Sequence, residues 1–187
     1  MALQKTDKWK TKKWFTVYAP KAFNEMQIGE IPANDENAVI GRRIKVGLNT
    51  LTNNPSNAYT NVFLKVVDVN GEAAHTKFVR MEQLYGYLRS LIRRYRSVSD
   101  AIIPVTSKDN QNMVFKVIVV TRERTAHTRL IGMRKEMKGY VEAFAKEHDS
   151  NAMISAVIDG KLQSELSAKL KHIAPINKVE IKKLEIK

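Results

Sequence analysis

Three arginines within residues 84–99 have the residue type and the spacing to bind phosphate groups. Arg89, Arg93 and Arg96 are separated by four and then three positions, so they would share one face of a helix. Guanidinium groups are planar, permanently charged and forked, which suits the oxygen atoms of phosphate. The same stretch contains no acidic residue. Because uncompensated arginines repel each other, the pattern favours an anionic partner; the alternative is a solvated polar face.

Apolar residues in the same stretch predict the element that would position these arginines. Leu84, Leu88, Leu91, Ile92 and Tyr95 recur at helical spacing. The sequence therefore predicts an amphipathic helix within residues 74–99, whose apolar face packs on a core while its opposite face presents the arginines.

The composition indicates a globular protein with a polyanionic partner. The chain has 187 residues, is 43% hydrophobic and carries 32 Lys and Arg against 19 Asp and Glu, a net charge of +13. Such an excess favours nucleic acid first and an anionic membrane surface second. No apolar run approaches the roughly 18 residues that span a bilayer. The absence of cysteine excludes disulfides, thiol catalysis and Cys-ligated zinc, and is compatible with a cytoplasmic protein.

Basic residues cluster in every part of the chain rather than in one patch. This dispersal favours a protein embedded in folded RNA that contacts several helices through backbone phosphates. In the N-terminal arm, lysines flank Trp9, which could stack on a base; the alternative is a disordered terminus. We predict RNA binding by Lys8, Trp9, Lys10, Lys12, Lys13, Arg42, Arg43, Arg89, Arg93, Arg94, Arg96, Arg122, Arg124, Arg129, Arg134, Lys135, Lys182 and Lys183.

Alternating apolar residues predict about seven strands, at residues 14–18, 39–48, 59–69, 73–79, 101–105, 113–121 and 178–187. Asn70-Gly71 between two apolar runs predicts a hairpin. Residues 113–121 are apolar nearly throughout, so both faces of that strand should be covered. The alternation of apolar and polar residues shifts by one position at Lys182-Lys183, which predicts a bulge in the last strand.

Helical periodicity dominates the C-terminal third of the chain. An apolar stripe predicts a long helix over residues 127–148, and two shorter helices should follow at residues 150–158 and 162–173. We predict an α+β fold with a mostly antiparallel, barrel-like sheet and flanking and C-terminal helices. Residues 1–187 should form a single domain, with a basic arm (1–13), a mainly β part with one inserted helix (14–125) and a helical segment with a final strand (126–187).

The sequence contains no recognisable catalytic or metal-binding motif. Its four histidines are isolated from one another. Gly160-Lys161 lacks the upstream glycine of a phosphate loop. No Gly-x-Ser-x-Gly elbow occurs. We therefore predict neither enzymatic activity nor a metal or cofactor; the alternative hypothesis is a free RNA-binding regulator or an RNA-processing enzyme.

Four segments in chain order resemble the small-subunit ribosomal protein S-three-Ae family, also called S-one-e, and the chain looks like an archaeal member. They are Asp7-Lys8-Trp9-Lys10 with Trp14-Phe15-Thr16-Val17-Tyr18-Ala19-Pro20; Ile28-Gly29-Glu30 with Val39-Ile40-Gly41-Arg42; Thr76-Lys77-Phe78 with Tyr87-Leu88-Arg89-Ser90-Leu91-Ile92-Arg93-Arg94; and Met133-Arg134-Lys135-Glu136-Met137 with Gly160-Lys161-Leu162 and Val179-Glu180-Ile181-Lys182-Lys183.

The resemblance implies a structural, ribosomal-RNA-binding role on the platform of the small subunit, near the messenger exit. It implies small-subunit ribosomal RNA and neighbouring ribosomal proteins as partners, and makes mRNA at the exit a further partner to test. It also implies a barrel-like sheet with flanking helices and a cytoplasmic location on the ribosome.

Overall fold

A computed structural model of the chain describes residue 9 and residues 12–187. These residues form an α+β fold with eight strands and five α-helices, in two compact units. The first unit contains the described residues up to Ala58 and Val62–Val79, and the second contains Tyr59–Asn61 and Arg80–Lys187. Strand β4 (Thr60–Asn70) and strand β5 (Ala73–Gln83) each contribute residues to both units.

The first unit is a mixed sheet with a compact apolar core. Besides parts of β4 and β5, it contains β1 (Lys13–Tyr18), β2 (Gln27–Ala33), β3 (Arg43–Gly47) and α1 (Leu48–Thr52). Its strand order is β2-β1-β5-β4-β3, in which β1 and β2 are antiparallel and β1 and β5 are parallel. Its core consists of Phe15, Val17, Ala33, Val39, Val66, Val69 and Ala74.

The second unit contains an antiparallel sheet and the other four helices. In chain order these elements are α2 (Tyr85–Leu91), β6 (Val98–Thr106), β7 (Asn112–Thr121), α3 (His127–Glu147), α4 (Ser150–Ile158), α5 (Lys161–Leu170) and β8 (Ile176–Ile186). The strand order is β5-β8-β7-β6. Helix α3 contacts β6, and α5 contacts β8. The buried stripe on α3 is Met133, Met137, Val141 and Ala145, each four residues from the next.

The predicted α+β class is confirmed, but the predicted sheet differs in strand number and closure. Residues 27–33 form β2, which is not among the seven strands predicted from the sequence. Only Ala33 of this strand is buried, so the strand has no strict alternation to reveal it. The β1–β5 pair makes the sheet mixed. Within each unit the strand order of the described residues has two ends, so the strands do not close into a barrel.

The predicted amphipathic helix around the arginines is wrong in length and in burial. Helix α2 ends at Leu91, and Ile92 is already in an extended conformation. Of the five apolar residues on the predicted buried face, only Leu88 is buried, and Tyr95 is 84% exposed. The chain must leave the helix early because β6 begins at Val98. Arg93 and Arg96 therefore do not share a helix face with Arg89.

Candidate nucleic-acid interface

The most concentrated basic feature of the second unit is a tight turn at residues 93–96, which we call the arginine turn. The Arg96 backbone N–H donates to the Arg93 carbonyl oxygen at 3.3 Å. Arg93 and Arg94 are exposed, and Arg96 is half-buried. None of these three arginines forms an ion pair with another residue of the described chain. The turn therefore presents guanidinium groups that no carboxylate of the described residues neutralises.

A buried hydroxyl holds the arginine turn beside a second basic loop. The hydroxyl of Thr121, which is fully buried, accepts a hydrogen bond from the Ser97 N–H at 3.0 Å. Its single proton faces two acceptors, the Glu123 carbonyl oxygen at 2.6 Å and the Ser97 carbonyl oxygen at 3.0 Å. The Thr125 N–H donates to the Ser97 hydroxyl at 3.0 Å. These bonds tie the end of the arginine turn to residues 122–125.

That second loop adds further exposed arginines to the same part of the unit. Arg122 and Arg124 lie in it, and Arg129 follows in the first turn of α3; all three are exposed. The Arg122 N–H donates to the Pro175 carbonyl oxygen at 2.9 Å, which fixes the loop against the start of β8. Glu123 is the only carboxylate among residues 122–129, so positive charge predominates here.

A polar cluster fixes helix α2 on strand β8. The Tyr87 hydroxyl donates to Glu180 Oε1 at 2.8 Å, and Lys178 Nζ lies 2.8 Å from the same oxygen. Lys178 also donates to the Tyr87 hydroxyl. The side chain of Glu180 is only 12% exposed, so its charge depends on these donors.

The pKa values in this cluster reflect the same contacts. Burial raises the pKa of Tyr87, and the hydrogen bond to Glu180 raises it further. Burial by itself lowers the pKa of Lys178, but the hydrogen bonds and charge of Glu180 outweigh it, so the pKa of Lys178 is raised. Tyr87 therefore stays protonated and Lys178 stays charged at neutral pH.

An aromatic stack and a backbone hydrogen bond hold the other side of α2. The rings of Tyr59 and Tyr87 are parallel within 4°, with their centroids 4.7 Å apart. The Leu84 N–H donates to the Tyr59 carbonyl oxygen at 2.8 Å. Sequence reasoning missed this arrangement because 28 positions separate the two tyrosines, and no local pattern links them.

Removal of the Tyr87 hydroxyl should destabilise the protein. In Tyr87→Phe, the largely buried Glu180 carboxylate loses one donor, and we expect the free energy of unfolding to fall by about 1–3 kcal/mol in urea denaturation. Tyr85→Phe is the matched control. Tyr85 lies on the same helix, is 67% exposed, and its hydroxyl has no partner in the described part of the chain. A loss in the control equal to that in Tyr87→Phe would contradict the assigned role of the cluster.

Some of the predicted RNA-binding residues already have partners within the protein. Arg42 donates to the carbonyl oxygens of Ala38 and Pro32 at 2.7 and 3.1 Å, so it braces the loop between β2 and β3. The remaining contacts are Arg134 to Asp100 at 3.6 Å, Lys183 to Glu185 at 2.7 Å, Arg89 over the Tyr85 ring at 5.5 Å and Lys12 over the Trp9 ring at 3.8 Å. Surface ion pairs contribute little to stability, so a phosphate could replace the carboxylate.

The other predicted residues that the structure describes have no ion pair within that part of the chain. They are Lys13, Arg43, Arg93, Arg94, Arg96, Arg122, Arg124, Arg129, Lys135 and Lys182. Lys13 and Arg43 belong to the first unit, and the others belong to the second. Lys8 and Lys10 lie outside the described residues, whereas Trp9 is described and is 62% exposed. Basic residues thus remain uncompensated in both units, and the structure brings together those of residues 93–96 and 122–125.

The described residues contain no group of three His, Asp or Glu side chains placed to bind a metal ion. None of the helices in residues 12–187 is long and apolar enough to cross a membrane.

Comparison with known proteins identifies the family. Residues 2–187 match the Ribosomal S3Ae family. The chain is 34% identical over 180 residues to the small ribosomal subunit protein eS1 of Sulfurisphaera tokodaii. The aligned residues cover 96% of this chain and 93% of the relative. It is 36% identical over 180 residues to the protein of the same name from Saccharolobus solfataricus. This alignment covers 96% of this chain and 86% of the relative. These matches confirm the resemblance predicted from the sequence, and the chain belongs to the ribosomal S3Ae family.

Proposed function

We propose that this protein is a structural constituent of the small ribosomal subunit and binds ribosomal RNA through its dispersed Lys and Arg clusters. The observation that carries the proposal is the family match over residues 2–187, together with relatives named small ribosomal subunit protein eS1. The uncompensated arginines at residues 93–96 and 122–129 support it, because a polyanion would supply the missing negative charge. The proposal includes RNA binding by the Lys, Arg and Trp residues that the sequence analysis named.

The finer parts of the proposal follow from the family resemblance. We propose that the whole chain acts as one ribosomal-protein domain, in the cytoplasm, on the platform of the subunit near the mRNA exit. Neighbouring small-subunit proteins would contact it there, and mRNA leaving the subunit would pass nearby. The family supports a structural role rather than an enzymatic one.

Sedimentation of gently lysed cells of the source organism tests this function. We expect the protein to co-sediment with small subunits at low salt and to be released only as the salt concentration rises. Release by salt follows because phosphate contacts displace condensed counterions, so affinity falls steeply with ionic strength. A protein found quantitatively free of ribosomes at low salt would contradict the proposal and favour a free RNA-binding regulator or an RNA-processing enzyme.

A further inference from the structure

Tyr95, in the arginine turn, has a backbone conformation that tyrosine disfavours. Its φ angle is +63°, in the left-handed region. It is the third residue of the four-residue turn that the Arg96 N–H closes on the Arg93 carbonyl oxygen. At this position a positive φ favours glycine or asparagine, because a larger side chain crowds the backbone. The turn would therefore form more easily with either of those residues.

The Tyr95 side chain makes no contact in the described part of the chain that would offset this strain. The Tyr95 side chain is 84% exposed, and it makes no hydrogen bond or ring contact with any other described residue. A large ring is thus held in water on a disfavoured backbone. Strained residues that stability does not explain concentrate at sites of function.

The surroundings of Tyr95 indicate which partner its ring would meet. Arg93, Arg94 and Arg96 flank it without a neutralising carboxylate, and hydrogen bonds to Ser97 hold the turn against the loop that carries Arg122. Proteins bind single-stranded nucleic acid with this combination, in which cations follow the phosphates and an aromatic ring stacks on a base. In duplex RNA the bases are already stacked on each other, so an exposed ring finds no free base face.

We propose that Tyr95 stacks on an unpaired base of RNA while the three arginines of the turn hold the phosphates on either side. This inference rests on the proposed RNA-binding function and specifies the partner as a single-stranded or bulged segment. Every base has a π-face, so the contact would tolerate any base at this position. The phosphate contacts would act on duplex and single strand alike, whereas the ring would act on the single strand alone.

Two substitutions in the full-length protein separate stacking from stability. Tyr95→Asn removes the ring and suits the left-handed backbone, whereas Tyr95→Phe keeps the ring. The probes are an oligoadenylate of about 12 nucleotides and a hairpin RNA duplex. We expect Tyr95→Asn to lower affinity for oligoadenylate by about 5- to 150-fold, with affinity for the duplex unchanged. Its thermal midpoint should rise by about 2–4 °C because the strain is relieved. Tyr95→Phe should match the parent protein in both measurements.

The remaining outcomes distinguish failure of this inference from failure of the proposed function. Oligoadenylate binding by Tyr95→Asn that equals that of the parent would overturn stacking, as would an equal loss for oligoadenylate and duplex. A lowered thermal midpoint in Tyr95→Asn would show that the ring serves the fold, which also overturns the inference. If the parent protein binds neither RNA in a salt-dependent way, the proposed RNA-binding function fails as well.

Discussion

Replacement of Arg93, Arg94 and Arg96 by glutamine should weaken binding to small-subunit ribosomal RNA by about 100-fold at 0.15 M salt. Each phosphate contact that is lost removes nearly one released counterion. The slope of log affinity against log salt should therefore become less negative by about 2–3. Filter binding or fluorescence anisotropy over a range of salt concentrations measures both quantities.

The expected loss of affinity does not depend on a loss of stability. Arg93 and Arg94 are exposed, and none of the three guanidinium groups forms an ion pair within the described residues. Substitutions of exposed residues such as Arg93 and Arg94 change the free energy of unfolding by about 0.5 kcal/mol or less, and the half-buried Arg96 has no ion pair to lose. Urea denaturation of the triple variant should thus superimpose on that of the parent protein.

A second triple variant controls for net charge. Lys138, Lys161 and Lys169, changed together to glutamine, lower the net charge from +13 to +10, the same three charges as the arginine variant. Lys138 and Lys161 lie 3.8 and 3.5 Å from Glu142 and Asp159, and Lys169 lies 4.1 Å from the centre of the Tyr140 ring. These lysines already have partners, so we expect the salt slope to change by less than about one unit. Equal slopes for the two variants would mean that only total charge matters, and the arginine turn would lose its assigned role.

Phe115→Ala should lower the free energy of unfolding by about 3–5 kcal/mol. Phe115 is fully buried in β7 and pairs with Ile103 of β6 and Leu184 of β8. Truncation of the ring removes apolar surface and leaves a cavity that two neighbouring strands prevent from collapsing. Since whole proteins are stable by only about 5–15 kcal/mol, the urea midpoint should fall sharply.

Ile102→Ala on the neighbouring strand is the matched control. Ile102 is 65% exposed, so its truncation should change the free energy of unfolding by about 0.5 kcal/mol or less. If Phe115→Ala does not fold, Phe115→Leu provides a milder test, with an expected loss below about 1.5 kcal/mol. A loss in Ile102→Ala as large as that in Phe115→Ala would contradict the assigned burial of β7.

Several elements could be predicted from the sequence because their signals are local. The hairpin predicted at Asn70-Gly71 is confirmed: Gly71 and Glu72 join β4 and β5, and Gly71 has the positive φ of +62° that favours glycine in a tight hairpin turn. Residues 117–121 are all buried, which confirms that both faces of the second half of β7 are covered. The bulge in β8 is also confirmed. Lys116 pairs with Lys183 and Val117 with Ile181, so Lys182 is the extra residue.

The candidate site depended more on contacts distant in sequence. The sequence indicated which residues are basic and uncompensated, but helical spacing alone could not show that α2 ends at Leu91. Hydrogen bonds between Ser97 and Thr121, 24 positions apart, draw the chain into β6. Tyr95 is 84% exposed, whereas its apolar character had predicted burial.

A similar long-range contact decides how α4 begins. The sequence predicted a helix at residues 150–158, and Ser150 is its first helical residue, with Asp149 at the N-cap position. The Ser150 N–H and hydroxyl donate to Asp109 Oδ2 at 3.1 and 3.2 Å, so a carboxylate 41 positions away supplies the acceptor. The pattern of residues within one helix cannot indicate a capping partner so distant in the chain.

The sequence by itself determined the α+β class, most strands, the long helix and the excess of positive charge, because each depends on composition or on short-range periodicity. The family followed instead from the resemblance of four segments to its members, which the comparison confirmed. Only the tertiary structure decided which charges are compensated, where α2 ends, and that the arginine turn lies beside the loop of residues 122–125. The physical reason is that these features depend on hydrogen bonds and packing between residues far apart in the chain, which a local pattern does not encode.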